Sequence, residues 1–530
     1  MSAAASIAVS QAAQKPKVNP WFIGVVVSMA AFMELLDTSI ANVALPHIAG
    51  GLGASNDEST WVLTSYLVSN AVVLPISGFF VSWLGRKRFF LACIVFFTAS
   101  SFLCGIAPTL GMLLLFRIMQ GAFGGGLQPM AQAILADTFP PEKQGLAFAL
   151  YGVTAVVAPA VGPTLGGWLT DNYSWRWIFY INVPVGILAV LLVQQLIQDP
   201  PYISRAKKGL GRFDYIGFSL LAIGVGALQV ALDKGQEDDW FGSRFISTLI
   251  VLAAVGLVSL VIWEWFHKEP IVDVHLFKNF NFAITNLMFL LLGITFFASN
   301  VLMPQFLQTL MGYTAEKAGL VLSAGAVVLL FTMPIVGQLT TRVQARYLIA
   351  FGWITMALTS YWSTLQTDLA VSFGSAAILR ILQVLPLGFL FVPLTMAGYV
   401  GVAEERTNAA SGLINFMRNI GQSVGTSAVT TLIARRSQFH QSILAEHTKS
   451  PRFQSAIAGL ASQLNHVGLS MQAARQQATD RLYGMVQMQA ATLAYVDVYW
   501  LLTLSAAAML LVSFLLKKNE PGKSGHVAIG

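Results

Sequence analysis

Apolar residues in this chain are gathered into long runs, separated by short stretches rich in glycine, proline and charge. The runs reach about 18 residues or more, the length at which an α-helix can cross the hydrocarbon core of a bilayer. They predict fourteen transmembrane helices, at 21–45, 59–82, 89–107, 110–134, 145–169, 177–197, 214–233, 244–266, 281–304, 317–339, 347–365, 370–396, 408–433 and 498–516. The predicted fold class is therefore an all-α integral membrane protein.

Composition and charge agree with this interpretation. Of the 530 residues, 55% are hydrophobic and only 10% are charged, which excludes an ordinary soluble domain. The net charge of +7 does not indicate nucleic-acid binding, because the basic residues collect in alternate loops. The loops and tail predicted to be cytoplasmic hold Arg86, Lys87, Arg88, Lys143, Arg205, Lys207, Lys208, Arg212, Lys268, Lys278, Arg342, Arg346, Arg406, Lys517, Lys518 and Lys523. This positive-inside pattern predicts that both the N- and C-termini are cytoplasmic.

The chain repeats itself at an offset of about 260 residues. The sequence N-V-A-L-P at 42–46 matches N-V-L-M-P at 300–304, and R-I-M-Q at 117–120 matches R-I-L-Q at 380–383. The repeat predicts two pseudo-symmetric six-helix bundles, at 1–200 and 279–530, joined by two linker helices at 201–278. The second bundle contains a long polar outer loop at 435–497, which is either a structured loop or a docking surface for a partner.

Five charged residues fall inside the apolar runs: Glu34, Asp37, Arg117, Arg380 and Arg418. A charge in hydrocarbon costs at least about 2.5 kcal/mol, so such residues usually face a cavity or a partner. Glu34 and Asp37 share one helix face. The repeat retains the arginine in both halves but replaces the two acids, so proton chemistry is predicted to belong to the first half.

Three hypotheses follow for these acids. In the first, burial makes Glu34 the protonation site while Arg117 holds Asp37 in its ionised form. In the second, Asp37 carries the proton and Glu34 contacts the substrate. In the third, Asp37 and Arg117 form a static ion pair that orients two helices.

Further polar residues are predicted to line a substrate cavity. Some of them lie on one face of a helix, and others occupy equivalent positions in the two halves of the repeat. These residues are Gln120, Gln128, Asn300, Arg380, Gln383, Asn415, Arg418 and Asn419. For the two arginines, bonding to helix carbonyls is the alternative. The glycine pairs Gly121/Gly125, Gly162/Gly166 and Gly421/Gly425 predict close helix contacts. Pro159 and Pro163 are predicted to weaken the hydrogen bonding of helix 5.

The chain resembles the major facilitator superfamily, and within it the fourteen-helix drug:proton antiporter branch. The resemblance rests on motifs in the expected order, at 36–46, 78–88, 117–121, 162–167, 175–184 and 238–241. It implies a conformational role for Gly78, Gly85 and Arg86 in the loop 2–3 motif, and for Pro159, Gly162, Pro163, Gly166 and Gly167 in the antiporter motif. One departure is Ser82, which stands where the loop motif has an acid and puts a charge lock in doubt.

The resemblance also implies a function. It implies multidrug efflux by alternating access, with lipophilic small molecules as substrates and protons as the coupling ion. No other cofactor and no metal are expected, and the lack of a nucleoside-triphosphate-binding loop argues against an ATP-driven pump. The implied location is a bacterial inner membrane, with a periplasmic adaptor protein and an outer-membrane channel as partners. A dedicated exporter of one metabolite and a proton-coupled importer are the alternatives; an enzyme is not expected.

Overall fold

The computed structural model describes residues 19–199 and 213–518, and every regular element in these two ranges is a helix. The first bundle contains α1 (Pro20–Leu52), α2 (Asn56–Leu84), α3 (Arg86–Ile106), α4 (Leu110–Gly124), α5 (Leu127–Thr138), α6 (Pro141–Asn172), α7 (Trp177–Tyr180) and α8 (Asn182–Leu196). The basic loop residues Arg205, Lys207, Lys208 and Arg212, and Lys523 of the tail, lie outside the described residues.

The linker helices are α9 (Tyr215–Lys234) and α10 (Arg244–Phe266), flanked by short 3-10 helices at Trp240–Gly242 and Val274–Lys278. The second bundle contains α11 (Phe280–Thr309), α12 (Ala315–Leu339), α13 (Ala345–Gln366), α14 (Phe373–Val384), α15 (Pro386–Gly398), α16 (Thr407–His447), α17 (Pro451–His466) and α18 (Met471–Ser513). A 3-10 turn at Glu404–Arg406 leads into α16.

Within the described residues, twelve spans are long and apolar enough to cross a membrane. The predicted helices 11 and 13 exist as α13 and α16 but are not among the twelve. In α16 the reason is the polar series Asn415, Arg418 and Asn419, which lowers the hydropathy of a helix at the bundle interface. The count of fourteen transmembrane helices stays a prediction.

The predicted helix 6 breaks at Ile181 between α7 and α8, and two further predicted helices are each divided into two. The fourth breaks at Gly125 and Gly126 between α4 and α5, and the twelfth breaks at Leu385 between α14 and α15. Pro386 begins α15 and cannot donate a hydrogen bond to the preceding turn. The two breaks stand at equivalent places of the repeat, about 260 residues apart.

The predicted outer loop at 435–497 is structured and mostly helical. α16 continues to His447, α17 follows, and α18 begins at Met471 instead of the predicted 498. We call residues 435–497 the outer hairpin. Its small core contains the buried Ile457, Ala461 and Ala478. At its base, Asp497 Oδ2 accepts a hydrogen bond from Arg436 Nε at 2.6 Å and lies 2.7 Å from His440 Nε2.

The two bundles touch at one end and separate at the other. We call the end that carries Pro20 and Pro141 the inner end, and the opposite one the outer end. At the inner end, a Cβ on Gly78 would lie 2.8 Å from Ala409 Cα, and one on Gly145 would lie 2.5 Å from the Gly337 carbonyl oxygen. The backbones of opposing helices are therefore in direct contact there, which closes the space between the bundles at the inner end.

Candidate functional site: a cavity between the bundles

A cavity of about 970 Å³ lies between the two bundles. This volume is in the range of small-molecule binding sites. Its outer mouth is bordered by the exposed Asn172 of the first bundle and Gln308 of the second. Of the candidate residues, those that line the cavity are Glu34, Gln128, Asn300, Arg418, Asn419, Pro159, Pro163 and Gly167. Aromatic and aliphatic side chains such as Phe296 and Phe391 form much of the remaining wall.

Glu34 is the buried acid of this cavity. It lies near the middle of α1 and is 3% exposed. Its Oε1 accepts hydrogen bonds from Asn70 Nδ2 at 3.0 Å and Tyr66 Oη at 3.3 Å, and its Oε2 accepts one from Gln128 Nε2 at 2.6 Å. None of these three donors is a cation. Asp171 and Glu316 also line the cavity, but they are exposed at the outer end.

Asp37 lies one turn from Glu34 and has a different environment. Its Oδ2 lies 2.6 Å from Arg117 Nη1, and both side chains are fully buried. Its Oδ1 accepts hydrogen bonds from Gln120 Nε2 and Asn182 Nδ2, each at 2.8 Å. The predicted pairing of Asp37 with Arg117 is confirmed. Asp37 does not reach the cavity wall.

Arg117 and Gln120 are part of this network and do not line the cavity in this structure, although Gln120 was predicted to line it. Arg117 Nε donates to the Val62 carbonyl at 3.1 Å, and the guanidinium lies 4.3 Å from the centre of the Tyr66 ring. The polar stripe of helix 4 turns at the break between α4 and α5, so Arg117 points into its own bundle while Gln128 points between the bundles.

Gln128 and Gln132 connect the first bundle to α16 of the second. Arg418 Nη2 donates to Gln128 Oε1, and Asn415 Nδ2 donates to Gln132 Oε1 at 2.7 Å. Tyr151 Oη also donates to Gln128 Oε1, at 3.0 Å. Asn415 was predicted to line the cavity, but it lies buried in this contact between bundles instead.

In the second bundle, Arg380 and Gln383 are also buried away from the cavity, contrary to prediction. Arg380 donates to Asn300 Oδ1 through Nη2 and to Ser299 Oγ through Nη1 at 3.4 Å. Gln383 Nε2 donates to Ser363 Oγ at 2.9 Å. Each repeat therefore turns its arginine and glutamine into its own bundle, and only Asn300 of this group reaches the cavity.

The loop 2–3 motif forms an ion pair despite the serine at 82. Arg86 Nη1 lies 2.5 Å from Asp137 Oδ2 of α5, and Arg86 is 2% exposed. Gly85 has φ = +85°, which favours glycine. The backbone N–H of Lys87 donates to Asp199 at 2.7 Å. A charged contact thus joins this turn to α5 at the inner end, through an acid that lies outside the motif.

The antiporter motif of α6 packs closely against α1. A Cβ on Gly162 would lie 2.4 Å from Ser39 Oγ, and one on Gly166 would lie 3.1 Å from the Ile40 carbonyl oxygen. Pro163 has no N–H for the carbonyl of Pro159, and Ser39 Oγ donates to that carbonyl at 3.0 Å. The weakened hydrogen bonding is thus repaired from α1, and α6 stays continuous. The predicted close contact is confirmed.

The other glycine pairs behave in the same way. A Cβ on Gly121 would lie 2.3 Å from the Tyr66 carbonyl oxygen, and one on Gly421 would lie 2.1 Å from that of Leu290. A Cβ on Gly125 would lie 2.7 Å from the Asn70 carbonyl oxygen of α2, and one on Gly425 would lie 2.5 Å from the Ile294 carbonyl oxygen of α11.

The sequence prediction missed several polar residues of the site. Tyr66 and Asn70 share a face of α2 at a spacing of four residues, and this spacing was a readable signal. Asn182 belongs to the motif at 175–184, but the motif alone did not assign it to Asp37. Tyr151 and Gln132 stand in apolar surroundings in the sequence, and only the packing of the helices brings them to Gln128 and Asn415.

Two duplicated helical bundles around a central cavity with a few buried polar and charged groups define a multi-pass membrane transporter rather than an enzyme. The sequence pattern of the Major Facilitator Superfamily matches residues 27–426, and the chain belongs to that superfamily.

Its relatives include the multidrug export protein EmrB of Escherichia coli K12, which is 37% identical over 90% of this chain and 91% of its own length. The fatty acid resistance protein FarB of Neisseria gonorrhoeae is 38% identical over 83% of this chain and 86% of its own length. Among solved structures, the proton:xylose symporter XylE has a TM-score of 0.56 at 12% identity, over 95% of this chain and 97% of that one. That likeness shows the fold alone.

Proposed function

We propose that this protein exports lipophilic small molecules across a bacterial inner membrane by proton-coupled antiport. Relatives named for multidrug export and for fatty acid resistance support export as the direction of transport. In the proposed arrangement, fourteen helices cross the membrane and both termini are cytoplasmic, so the outer mouth faces the periplasm. The 970 Å³ cavity offers room for a drug-sized molecule.

The observation that carries the proposal is the contrast between the two acids of α1. Glu34 lines the cavity and is held by three neutral donors, so it can bind a proton from cavity water without breaking an ion pair. Asp37 is paired with Arg117 and lies behind the cavity wall. This contrast supports Glu34 as the proton carrier over the alternative in which Asp37 has that role.

The driving force suffices for efflux. One proton that moves inward across a potential of about 100 mV supplies about 2.3 kcal/mol, before any pH gradient is counted. Fully coupled, this free energy sustains a gradient of roughly fiftyfold for a neutral substrate.

The test is transport in proteoliposomes under an imposed pH gradient, with Glu34→Gln as the variant. The glutamine retains the size of the side chain and can still accept from its neighbours, so the variant is expected to fold. We expect proton-driven efflux to be lost while equilibrium binding of a lipophilic drug persists. Gradient-driven efflux at the parent rate by Glu34→Gln would contradict the assignment, and Gln132→Leu, which leaves the Glu34 contacts intact, is the matched control.

The charge of the cavity favours neutral or weakly acidic lipophilic substrates over dications. Arg418 lines the cavity, and proton binding neutralises Glu34, the buried acid of the wall. A dication would then meet a positive site. Efflux of matched acidic and dicationic compounds measures this preference; faster efflux of the dication would contradict it.

The outer hairpin is the proposed contact for a periplasmic adaptor, which would lead to an outer-membrane channel. Its α18 segment exposes Tyr483, Met485 and Met488 at 42%, 63% and 40%. Exposed aromatic and methionine side chains are frequent in protein interfaces. Met485→Glu is expected to reduce co-purification with the adaptor, whereas Gln477→Glu, a charge added elsewhere on the same helix, should not. Equal recovery of the adaptor with Met485→Glu would remove the hairpin from the interface.

A further inference from the structure

Gln128 lies between the acid of the first bundle and the cavity arginine of the second. Its Nε2 donates to Glu34 Oε2 at 2.6 Å, and its Oε1 accepts from Arg418 Nη2 and, at 3.0 Å, from Tyr151 Oη. The side chain is 5% exposed. One amide therefore joins α1 to α16 across the bundle interface.

The charges at its two ends fix the orientation of this amide. An ionised carboxylate only accepts hydrogen bonds, so the NH₂ group must face Glu34. A guanidinium only donates, so the amide oxygen must face Arg418. The Tyr151 hydroxyl also donates to that oxygen. All these bonds are satisfied together only while Oε2 of Glu34 carries no proton.

Protonation of Glu34 at Oε2 means that Gln128 must present an acceptor, and no longer a donor, to Glu34. The new O–H, whose proton comes from cavity water, faces the NH₂ group of Gln128, and two donors then oppose each other. Turning the amide presents its oxygen to Glu34 but points the NH₂ group at Arg418 and Tyr151. A donor that faces the partly buried Arg418 cation costs free energy, so the bond to Arg418 breaks.

We infer that Gln128 is a positioning residue that converts protonation of Glu34 into release of Arg418, and so loosens the contact between α5 and α16. The inference rests on the proposed function, because it presumes that Glu34 carries the proton. The released contact lies on the inner side of the cavity, where the bundles must part for the inner end to open. Proton entry from the outer mouth would thus favour closure of that mouth.

Other polar and charged groups face Glu34 and define the competing route. Tyr66 and Asn70 on α2 bond Oε1, and the Asp37–Arg117 pair lies one turn away. A proton placed on Oε1 could be donated to the Tyr66 hydroxyl oxygen, which leaves Gln128 undisturbed. On that route, Gln128 has no part in the response to pH.

The chain contains a matched control for this contact. Gln132 lies one turn further along α5 and accepts from Asn415 Nδ2 of α16 at 2.7 Å. It joins the same two helices with the same kind of side chain, but among the described contacts it does not bond Glu34. Removing Gln132 therefore weakens the interface, whereas removing Gln128 weakens it and also cuts the path from Glu34.

The experiment measures the width of the outer mouth as a function of pH in the full-length protein. Spin labels at Asn172→Cys and Gln308→Cys report the distance across the mouth, and the native Cys93 and Cys104 are buried. In the parent, we expect the ratio of short to long distances to rise by about tenfold from about pH 9 to about pH 5. Gln132→Leu should shift that ratio at every pH but retain the response to pH.

For Gln128→Leu we expect a response of less than about twofold. Gln128→Asn, which is one methylene shorter and still polar, should behave in the same way and guards against misfolding of the leucine variant. A parent-like response in both variants would overturn the relay. If Glu34→Gln removes the response and the Gln128 variants do not, the relay fails while the proton site stands. A response unchanged in Glu34→Gln would overturn both.

Discussion

Arg117 and Arg380 occupy equivalent positions in the two halves, yet they are compensated in different ways. Arg117 has the Asp37 carboxylate at 2.6 Å, the Val62 carbonyl and the face of Tyr66. Arg380 has only neutral partners among its described hydrogen bonds, the Asn300 amide and the Ser299 hydroxyl. Both halves of the repeat therefore contain the buried arginine, but only the first half contains a carboxylate that pairs with it.

This difference shows two ways in which a buried arginine is compensated: by an ion pair, and by neutral hydrogen-bond acceptors. A buried charge loses its hydration, and a partner with good geometry offsets that loss. Asp37 is paired with Arg117 in this way, whereas the three described hydrogen-bond donors to the Glu34 carboxylate are neutral. The second half has Leu292 and Thr295 at the two equivalent positions, and the Thr295 hydroxyl donates to its own helix at the Leu291 carbonyl.

The largest effect is expected from Asp37→Asn, which makes the first half resemble the second. It leaves Arg117 buried without a carboxylate, and breaking a buried pair in this way costs about 3 to 5 kcal/mol. We expect a lower melting temperature in detergent and loss of transport. Thermal unfolding of purified protein is the measurement.

Removing both charges, in Asp37→Asn with Arg117→Gln, is expected to recover part of the stability, because no unpaired charge remains. Normal stability of Asp37→Asn with loss of proton coupling alone would favour the hypothesis that Asp37 carries the proton.

A smaller effect of opposite sign is expected from Asn300→Asp, which makes the second half resemble the first. The substitution places a carboxylate where Arg380 already donates to an amide oxygen. Hydrogen bonds to ionised groups are stronger than neutral ones, so we expect a gain of about 1 to 2 kcal/mol in the free energy of unfolding. Asn300→Leu should reduce stability, and a lower melting temperature for Asn300→Asp would show that Arg380 does not need a counter-charge.

Sequence reasoning went furthest where a rule concerns a single helix. Apolar runs located most of the membrane helices, and the glycine pairs predicted close contacts correctly at Gly121, Gly162 and Gly421. The pairing of Asp37 with Arg117 also followed, because burying an unpaired charge is so costly that the partners could be found by depth.

The errors arose where the answer depends on which helix faces which. A polar stripe shows which face of its own helix a side chain lies on. It does not show whether that face packs against another helix of the same bundle or lines the cavity. Arg117, Gln120, Arg380 and Gln383 point into their own bundles, whereas Gln128 and Arg418 point between them. The outer hairpin was predicted as a structured polar loop, and the full extent of its helices was missed because they carry few apolar runs.

The smallest effect is expected from Ser39→Ala, which removes another feature that only the first half has. Ser39 donates to the Pro159 carbonyl that Pro163 leaves free, whereas Phe297 stands at the equivalent position in the second half. Loss of this bond is expected to cost about 1 kcal/mol. Thr38→Ala is the control, because the Thr38 hydroxyl donates to the Glu34 carbonyl of its own helix and not to α6. Equal melting temperatures for Ser39→Ala and Thr38→Ala would mean that the two proline-containing turns of α6 need no support from α1. A drop confined to Ser39→Ala would place part of the stability of the first bundle in the antiporter motif itself.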